Sequence, residues 1–341
     1  MRSSPGVICW PSNLAKRVHK SLTEPATIRR AIATGVAYLD SVQLPSGELP
    51  IEISPTPDMT GECVREPCVF PTALAARMLS ITPAADRVRS RALDFLEREM
   101  HPDGLWRHPS SDKPMHYDTP LDVDDTSLAS VALANAGRQV PDNRRFLIKN
   151  RNRRGLFKTW IVRWWPHPLL TYRFFKYTAK VDDVDAVVMA NVVVYLGDCE
   201  ETRPSIAHML EVLRTNNEAM STKWYESRFT VWYFFSHALR EIAPEAGEMI
   251  VPRVEAATPR NALELASAIS TLLLWNRMPD VTLLLDQQLE SGAWPRTGFY
   301  HMGLKEIAPN EFRGAPPWWG SKALTTMFAV EALTRALQRY E

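Results

Sequence analysis

Asp122-Val123-Asp124-Asp125-Thr126 stands directly before an apolar run from Leu128 to Leu133. Whether these residues only cap a helix or also hold a buried acid decides how the chain is read. Asp122 suits the N-cap position, and Asp125 three residues on completes something close to a capping box. Acidic residues also favour a helix N-terminus through the macrodipole. A cap needs Asp122 and at most Asp125; it has no use for Asp124. Buried carboxylates this close cannot all ionise, because like charges disfavour one another and burial disfavours each. At least one of the three is then expected to keep its proton near neutral pH.

Outward from this stretch the chain reads as all-α. Apolar periodicity near 3.6 marks about twelve segments, and no run shows a convincing period-2 strand pattern. The segments alternate between two kinds. Some are amphipathic with a charged face, as in Asp86–Met100 and Pro204–Asn216. Others are apolar almost all round, as in Val181–Leu196 and Asn261–Trp275, which marks a buried helix. The outer and inner pairs are 26–43 with 66–81, 86–100 with 122–137, 140–150 with 181–197, 203–216 with 227–243, 246–257 with 260–276, and 280–289 with 318–339. Thr258-Pro259 suits the start of the fifth inner helix.

Six such pairs predict an alpha–alpha toroid, about six inner helices wrapped by six outer ones. The expected domain is 26–341, preceded by an N-terminal extension over 1–25. The linkers from outer to inner helix are mostly long, at 44–65, 101–121, 151–180 and 290–317, whereas the return linkers are short. This places the long loops on one face, at the N-termini of the inner helices, where binding sites concentrate. Asp122–Asp125 belongs to that mouth.

A weak repeat runs through the linkers: Gln43-Leu-Pro-Ser-Gly47-Glu-Leu-Pro50, Glu99-Met-His-Pro-Asp-Gly104-Leu-Trp106 and Gln288-Leu-Glu-Ser-Gly292-Ala-Trp294-Pro295. Each follows an outer helix, turns at Gly and continues with a large apolar residue. The end of the chain, Pro316-Pro-Trp-Trp-Gly-Ser-Lys-Ala-Leu324, has the same character. These segments resemble degraded Q-x-x-x-G-x-W repeats of squalene–hopene cyclases, and D-x-D-D-T resembles the acid motif of the class II terpene cyclases to which those enzymes belong. The resemblance extends over roughly residues 26–339. It implies an alpha–alpha barrel and protonation of an isoprenoid alkene or epoxide, with the middle aspartate, here Asp124, as proton donor. Familiar members carry two helical domains; this chain holds one barrel, and is most like the single-domain cyanobacterial type that cyclises a prenylated aromatic acid. That type implies a meroterpenoid substrate.

Bulk properties exclude several classes. A net charge of +1 over 341 residues gives no general electrostatic case for nucleic acid. Four cysteines are too few for a disulfide framework, and Cys63 and Cys68 have no partner pair at zinc-finger spacing. The first residues lack the apolar core of a signal peptide, and no stretch approaches 18 consecutive apolar residues. The expected location is cytoplasmic, with peripheral membrane contact open. There is no G-x-x-x-x-G-K-[ST], H-E-x-x-H or G-x-S-x-G. No cysteine sits in a D-x-C context, which sets aside the zinc site of the protein prenyltransferases that share the barrel.

The aromatics carry the next signal. Trp106, Tyr117, Trp160, Trp164, Trp165, Trp224, Tyr225, Trp294, Phe299, Tyr300, Trp318 and Trp319 fall in the long loops or at inner-helix starts. Phe229, Trp232 and Tyr233 share one side of the fourth inner helix by the i, i+3, i+4 rule. Any one of them is more often core than cavity wall; their clustering on one face argues for a cavity whose rings stabilise a cation by roughly 0.5–2 kcal/mol each when desolvated. From Asn143 to Val181 there are eleven lysines and arginines and no acid, interleaved with aromatics around Arg163, Arg173 and Lys176. This tract reads as a solvated loop, or else as a clamp for an anionic head group or an interfacial membrane anchor. Asp182-Asp183-Val184-Asp185 reads as a cap rather than a metal motif. Asn191, two turns along a buried helix, needs a polar partner and can reach the acid cluster or the pocket. His116 and His301 lie in mouth loops.

The site expected is Asp124 as general acid, held and tuned by Asp122 and Asp125. Trp224, Phe229, Trp232, Tyr233, Trp318, Trp319, Asn191 and Arg163 are expected to bind substrate. The substrate expected is a hydrophobic linear isoprenoid, a prenylated aromatic or a prenyl diphosphate, and protonation itself requires no metal or cofactor. Two rivals remain: an inverting glycosidase-like toroid pairing Asp124 with Glu62 or Glu311, and a non-catalytic helical binding protein. Oligomeric state is not legible.

Overall fold

The computed structural model describes residues 24–113, 116–162, 168–177, 180–301 and 317–340. The helices in chain order are α1 (Pro25–Val42), α2 (Phe70–Met78), α3 (Asp86–Glu99), α4 (Val123–Asn135), α5 (Arg144–Lys149), α6 (Pro168–Tyr177) and α7 (Ala186–Leu196). They continue as α8 (Arg203–Arg214), α9 (Glu218–Ser221), α10 (Arg228–Leu239), α11 (Ala246–Ala256), α12 (Ala262–Leu274), α13 (Thr282–Leu285) and α14 (Lys322–Tyr340). Helices α2, α4, α7, α10, α12 and α14 each pack on the next, and α14 returns to α2, which closes an inner ring of six. Around it, α1 lies on α14, α3 on α2 and α4, α8 on α7, α11 on α10 and α12, and α13 on α12. The short α5 joins through Leu147, which packs with Val188, Met189 and Val192 of α7. The architecture is an alpha–alpha toroid.

Side-chain pattern explains which helix goes where. Every residue of α12 is buried, and so is α7 from Ala186 to Val193. Such helices are stable only with neighbours on all sides. In α3, by contrast, Val88, Ala92, Leu93, Phe95 and Leu96 form one buried stripe, and the arginines and acids face out. Among the described residues no helix is long and apolar enough to cross a membrane.

Among the described residues, seven short strands occupy the long linkers, contrary to the expectation of none: β1 (Ile51–Ser54), β2 (Val64–Glu66), β3 (Trp106–Arg107), β4 (Leu121–Asp122), β5 (Trp160–Ile161), β6 (Gly298–His301) and β7 (Trp318–Gly320). They form two antiparallel sheets, ordered β2-β1-β7-β6 and β3-β4-β5. At two to four residues each, no strand is long enough for alternation to be read. Both sheets stand at the N-terminal ends of inner helices. Helix α6, inside the linker that runs over 151–180, was likewise not expected. The start of α12 also differs: Asn261 caps it, accepting from Glu264 N at 2.9 Å, in place of Thr258-Pro259.

The linker repeat is a repeated piece of hydrogen bonding. In each copy the Gly N–H donates to a carbonyl three residues back, and that residue's own N–H donates to the residue after the Gly: Leu44 with Gly47 and Glu48, His101 with Gly104 and Leu105, Leu289 with Gly292 and Ala293. A fourth copy, Asn152 with Gly155 and Leu156, escaped the sequence pattern. Gln43 and Gln288 each donate from Nε2 to the carbonyl of the turn glycine, at 2.8 and 2.9 Å. The large residue that follows then docks on a threonine of an inner helix: Leu49 N on Thr72 Oγ1, Trp106 N on Thr126 Oγ1 and Trp294 N on Thr326 Oγ1, at 2.9–3.1 Å. Gly47 has φ +87° and Gly292 φ +83°. A side chain at either would also strike a backbone carbonyl, Arg91 O or Thr34 O. Each turn thus nails an outer helix to the ring, and Thr126 of the acid stretch is one of the nails.

Candidate active site

Strand β4 pairs with both neighbours at Asp122, opposite Trp106 of β3 and Trp160 of β5. It then runs directly into α4. Asp122 is the N-cap: its Oδ1 accepts from Asp124 N at 2.6 Å and Asp125 N at 3.2 Å. With Asp122 spent on the backbone, the next two carboxylates are free to face different ways. Asp125 turns to His108, whose Nδ1 lies 3.1 Å from its Oδ2. Asp124 turns to the ring: Asn191 Nδ2 of α7 donates to its Oδ1 at 2.7 Å, and Tyr225 OH lies 3.2 Å from its Oδ2.

All three carboxylates are buried. Burial raises Asp124 to about 6, against hydrogen bonds from Asn191 and Tyr225 that favour its ionised form. Asp122 is raised well above the usual carboxylate range by burial, Asp125 and Asp124. Asp125 is raised likewise, by burial and then by Asp124. Burial works against a charged His108, but the Cys68 sulfur, 3.4 Å from Nε2, and the Asp122 carboxylate outweigh it and push the imidazole up to about 9. Tyr300 OH also reaches His108 Nε2, at 3.1 Å. The cluster therefore holds protons that isolated aspartates would have lost.

Beside these groups is a cavity of about 150 Å³, onto which Asp122, Asp124 and Asp125 all open. Trp160, Trp224, Tyr225, Tyr300 and Trp319 form much of its wall. Trp160 meets Trp224 edge-on at 6.0 Å, and Tyr300 and Trp319 stack at 5.3 Å with their planes 10° apart. Phe174 on α6 closes another side, packed edge-on to Trp160 at 4.9 Å. At the rim Lys113 pairs with Glu66. Glu66 is the one carboxylate outside the acid stretch among the described lining residues.

The expected site residues separate into groups. Asp124, Asp122, Asp125, Trp224 and Trp319 meet at this cavity, and Asn191 touches it through Asp124. Trp318, the neighbour of Trp319 on β7, lines a different, open groove of about 800 Å³. Phe229, Trp232 and Tyr233 are core. They do share a side of α10, where Phe229 meets Trp232 edge-on at 5.3 Å, but none of the three lines the cavity. Trp232 Nε1 donates to Glu218 Oε1 at 3.0 Å, towards α9, and Tyr233 OH donates to Glu331 Oε2 at 2.7 Å, across the ring. Arg163 and Glu311 lie outside the described residues. Glu62 is exposed and not part of the cavity. Of Asp182–Asp185, Asp185 is the cap, accepting from Val187 N at 2.8 Å, while its other oxygen takes Thr222 Oγ1 and Lys223 N at 2.7 Å each. His116 bonds the Pro109 carbonyl and His301 packs on Trp318. The histidine at the acids is instead His108. It stands directly after β3, whose Trp106 pairs with Asp122, and a two-residue strand leaves no signal in the sequence.

No protein-family model matches the sequence, and no curated protein matches it either. Solved structures do match in shape. A variant of the type II terpene cyclase MstE from Scytonema, without ligand, superposes with a TM-score of 0.69 at 17% identity, covering 92% of this chain and 98% of that one. Another MstE variant, in complex with the substrate geranylgeranyl dihydroxybenzoate, gives 0.68 at 17% identity over the same shares. A protein from Actinoplanes gives 0.68 at 17% identity, covering 91% of this chain and 99% of that one. The chain has the fold of these proteins along almost its whole length.

Proposed function

We propose that the chain is a class II terpene cyclase, a protonation-initiated enzyme that folds and closes a linear isoprenoid. The observation that carries this reading is Asp124: a carboxyl raised to about 6, opening onto an aromatic-walled cavity. A neutral carboxylic acid is the group needed to protonate an alkene or epoxide, and it acts best with a pKa near the operating pH. Asp124 gives its proton from Oδ2 to the terminal alkene carbon or epoxide oxygen. The resulting cation is attacked by the next double bond, and loss of a proton from the product cation ends the sequence. Asn191 fixes Oδ1, which leaves Oδ2, beside Tyr225 OH, as the oxygen that carries the proton. Asp122 anchors the turn that presents Asp124, and Asp125 with His108 braces it from behind. The rings of Trp160, Trp224, Tyr300 and Trp319 exclude water and stabilise positive charge.

The MstE complex supports a prenylated aromatic acid as the substrate class. The glycosidase alternative needs a second catalytic carboxylate facing Asp124 across a wet cleft; here Glu66 is held by Lys113 at the rim and the walls are aromatic. Helix α6 supports a peripheral membrane contact: Phe174 faces the cavity, while Leu169 is 76% and Tyr172 52% exposed beside the exposed Arg173 and Lys176. The deciding experiment is incubation with geranyl, farnesyl and geranylgeranyl dihydroxybenzoates and the matching diphosphates, with product analysis. Cyclised product from the wild type and none from Asp124→Asn supports the reading. Product from Asp124→Asn, or none from the wild type with any of these compounds, overturns it.

A further inference from the structure

The second acidic stretch does more than cap α7. Asp183 is 7% exposed, and its Oδ2 accepts from Trp160 Nε1 at 3.3 Å and from Lys223 Nζ at 3.4 Å. Its carbonyl accepts from Thr159 N at 2.8 Å, and the Thr159 carbonyl accepts from Val123 N at 2.9 Å, so the backbone beside Trp160 is held from both sides. Lys223 Nζ in turn lies 4.7 Å from the centroid of the Trp224 ring. Trp160 and Trp224 both wall the acid cavity, and they meet edge-on at 6.0 Å. One ion pair thus touches the two neighbouring tryptophans with opposite charges.

Those charges act on the rings in opposite senses. An indole N–H that donates to a carboxylate gains electron density in its ring, since a charge-assisted bond polarises its donor. A ring already engaged by an ammonium has less attraction left for another cation. We infer that Asp183 is a positioning residue that makes Trp160, rather than Trp224, the ring that holds positive charge in the cavity. Asp183 does not itself line the cavity and acts through the indole. Burial raises its carboxyl, and Lys223 works against that rise. Under the cyclase reading, on which this rests, the cation formed by proton transfer from Asp124 is then stabilised against Trp160.

The test is binding of choline and of its neutral carbon analogue 3,3-dimethyl-1-butanol, by calorimetry at one fixed pH. The parent protein is Asp124→Asn, so that the charge of the acid does not enter, and near-ultraviolet circular dichroism confirms the fold of each variant. The parent should prefer choline. Adding Asp183→Asn, whose amide can still accept from the indole, should cut that preference about fivefold, a part of the attraction of a desolvated ring for a cation. Trp160→Phe should cut it more than Trp224→Phe does, and this pair carries the test if Asp183→Asn does not fold. An unchanged preference in Asp183→Asn, equal losses in the two tryptophan variants, or no preference in the parent overturns the inference. If the preference behaves as expected while the wild type cyclises none of the prenylated compounds, the charge placement stands and the cyclase reading falls instead.

Discussion

Asn191 Nδ2 donates to Asp124 Oδ1 at 2.7 Å across 67 residues of chain, from the third inner helix to the first turn of the second. It converts a symmetric carboxyl into one with two different oxygens. Oδ1 accepts from an amide, and Oδ2 accepts from the Tyr225 hydroxyl at 3.2 Å.

Asn191→Leu removes this distinction. Both Asn191 and Tyr225 lower the Asp124 pKa by their hydrogen bonds, so losing either raises it above about 6. The expected result for Asn191→Leu and Tyr225→Phe is a lower kcat with an alkaline limb displaced to higher pH. A pH–rate profile checks this; an unshifted limb in both variants contradicts the assignment of Asp124 as the acid.

The same shift appears in stability. Asp124 rises from 3.8 unfolded to about 6 folded, so between these values the folded protein binds the extra proton. Its contribution is complete below pH 3.8 and is lost as pH rises through about 6, roughly 3 kcal/mol at most. Asp124→Asn cannot ionise there. Its stability relative to the wild type should therefore increase from pH 4 to pH 7, which paired denaturant titrations at the two pH values measure.

Trp232→Phe separates core from cavity. It breaks the bond to Glu218 Oε1, and Glu218 is fully buried. A stability loss of about 1–3 kcal/mol is expected, with activity per folded molecule unchanged. A large fall in kcat/KM with normal stability would restore Trp232 to the substrate wall.

Leu169→Glu with Tyr172→Glu tests the outer face of α6. Both residues are exposed, so the fold should be unaffected. Co-sedimentation with anionic vesicles should be lost in the double variant and, for the wild type, weakened at high salt. Retention by the double variant equal to wild type would assign the exposed face of α6 no membrane role.

What the sequence made legible follows from distance along the chain. The ring was readable because burial on all sides and burial on one side leave different patterns within a single helix, as in α12 and α3. Asp122 as cap was readable because its partners are two and three residues away. His108 and Tyr225 reach the acids from other linkers, and Tyr300 reaches His108; the strands beside His108 and under Tyr300 are too short to leave a pattern, and Tyr225 comes from the connection between α9 and α10. The same limit misled the reading of Trp232 and Tyr233. Helical spacing says that two residues lie near each other on a surface, but α10 is surrounded on every side, and only the neighbours decide which direction is the cavity.

The closed ring also constrains the order in which the protein can assemble. The last inner helix, α14, packs on α1, α12 and α2, joining the two ends of the described chain. A ribosome delivers α1 to α12 first, and for that interval the ring is a crescent with its inner aromatics facing water. Contacts this distant in sequence form late and slowly, and exposed apolar surface in the meantime invites association between nascent chains. Shielding of the crescent until α14 arrives is therefore a requirement of this architecture, and expression yield should depend more on chaperone supply than on the stability of the finished ring.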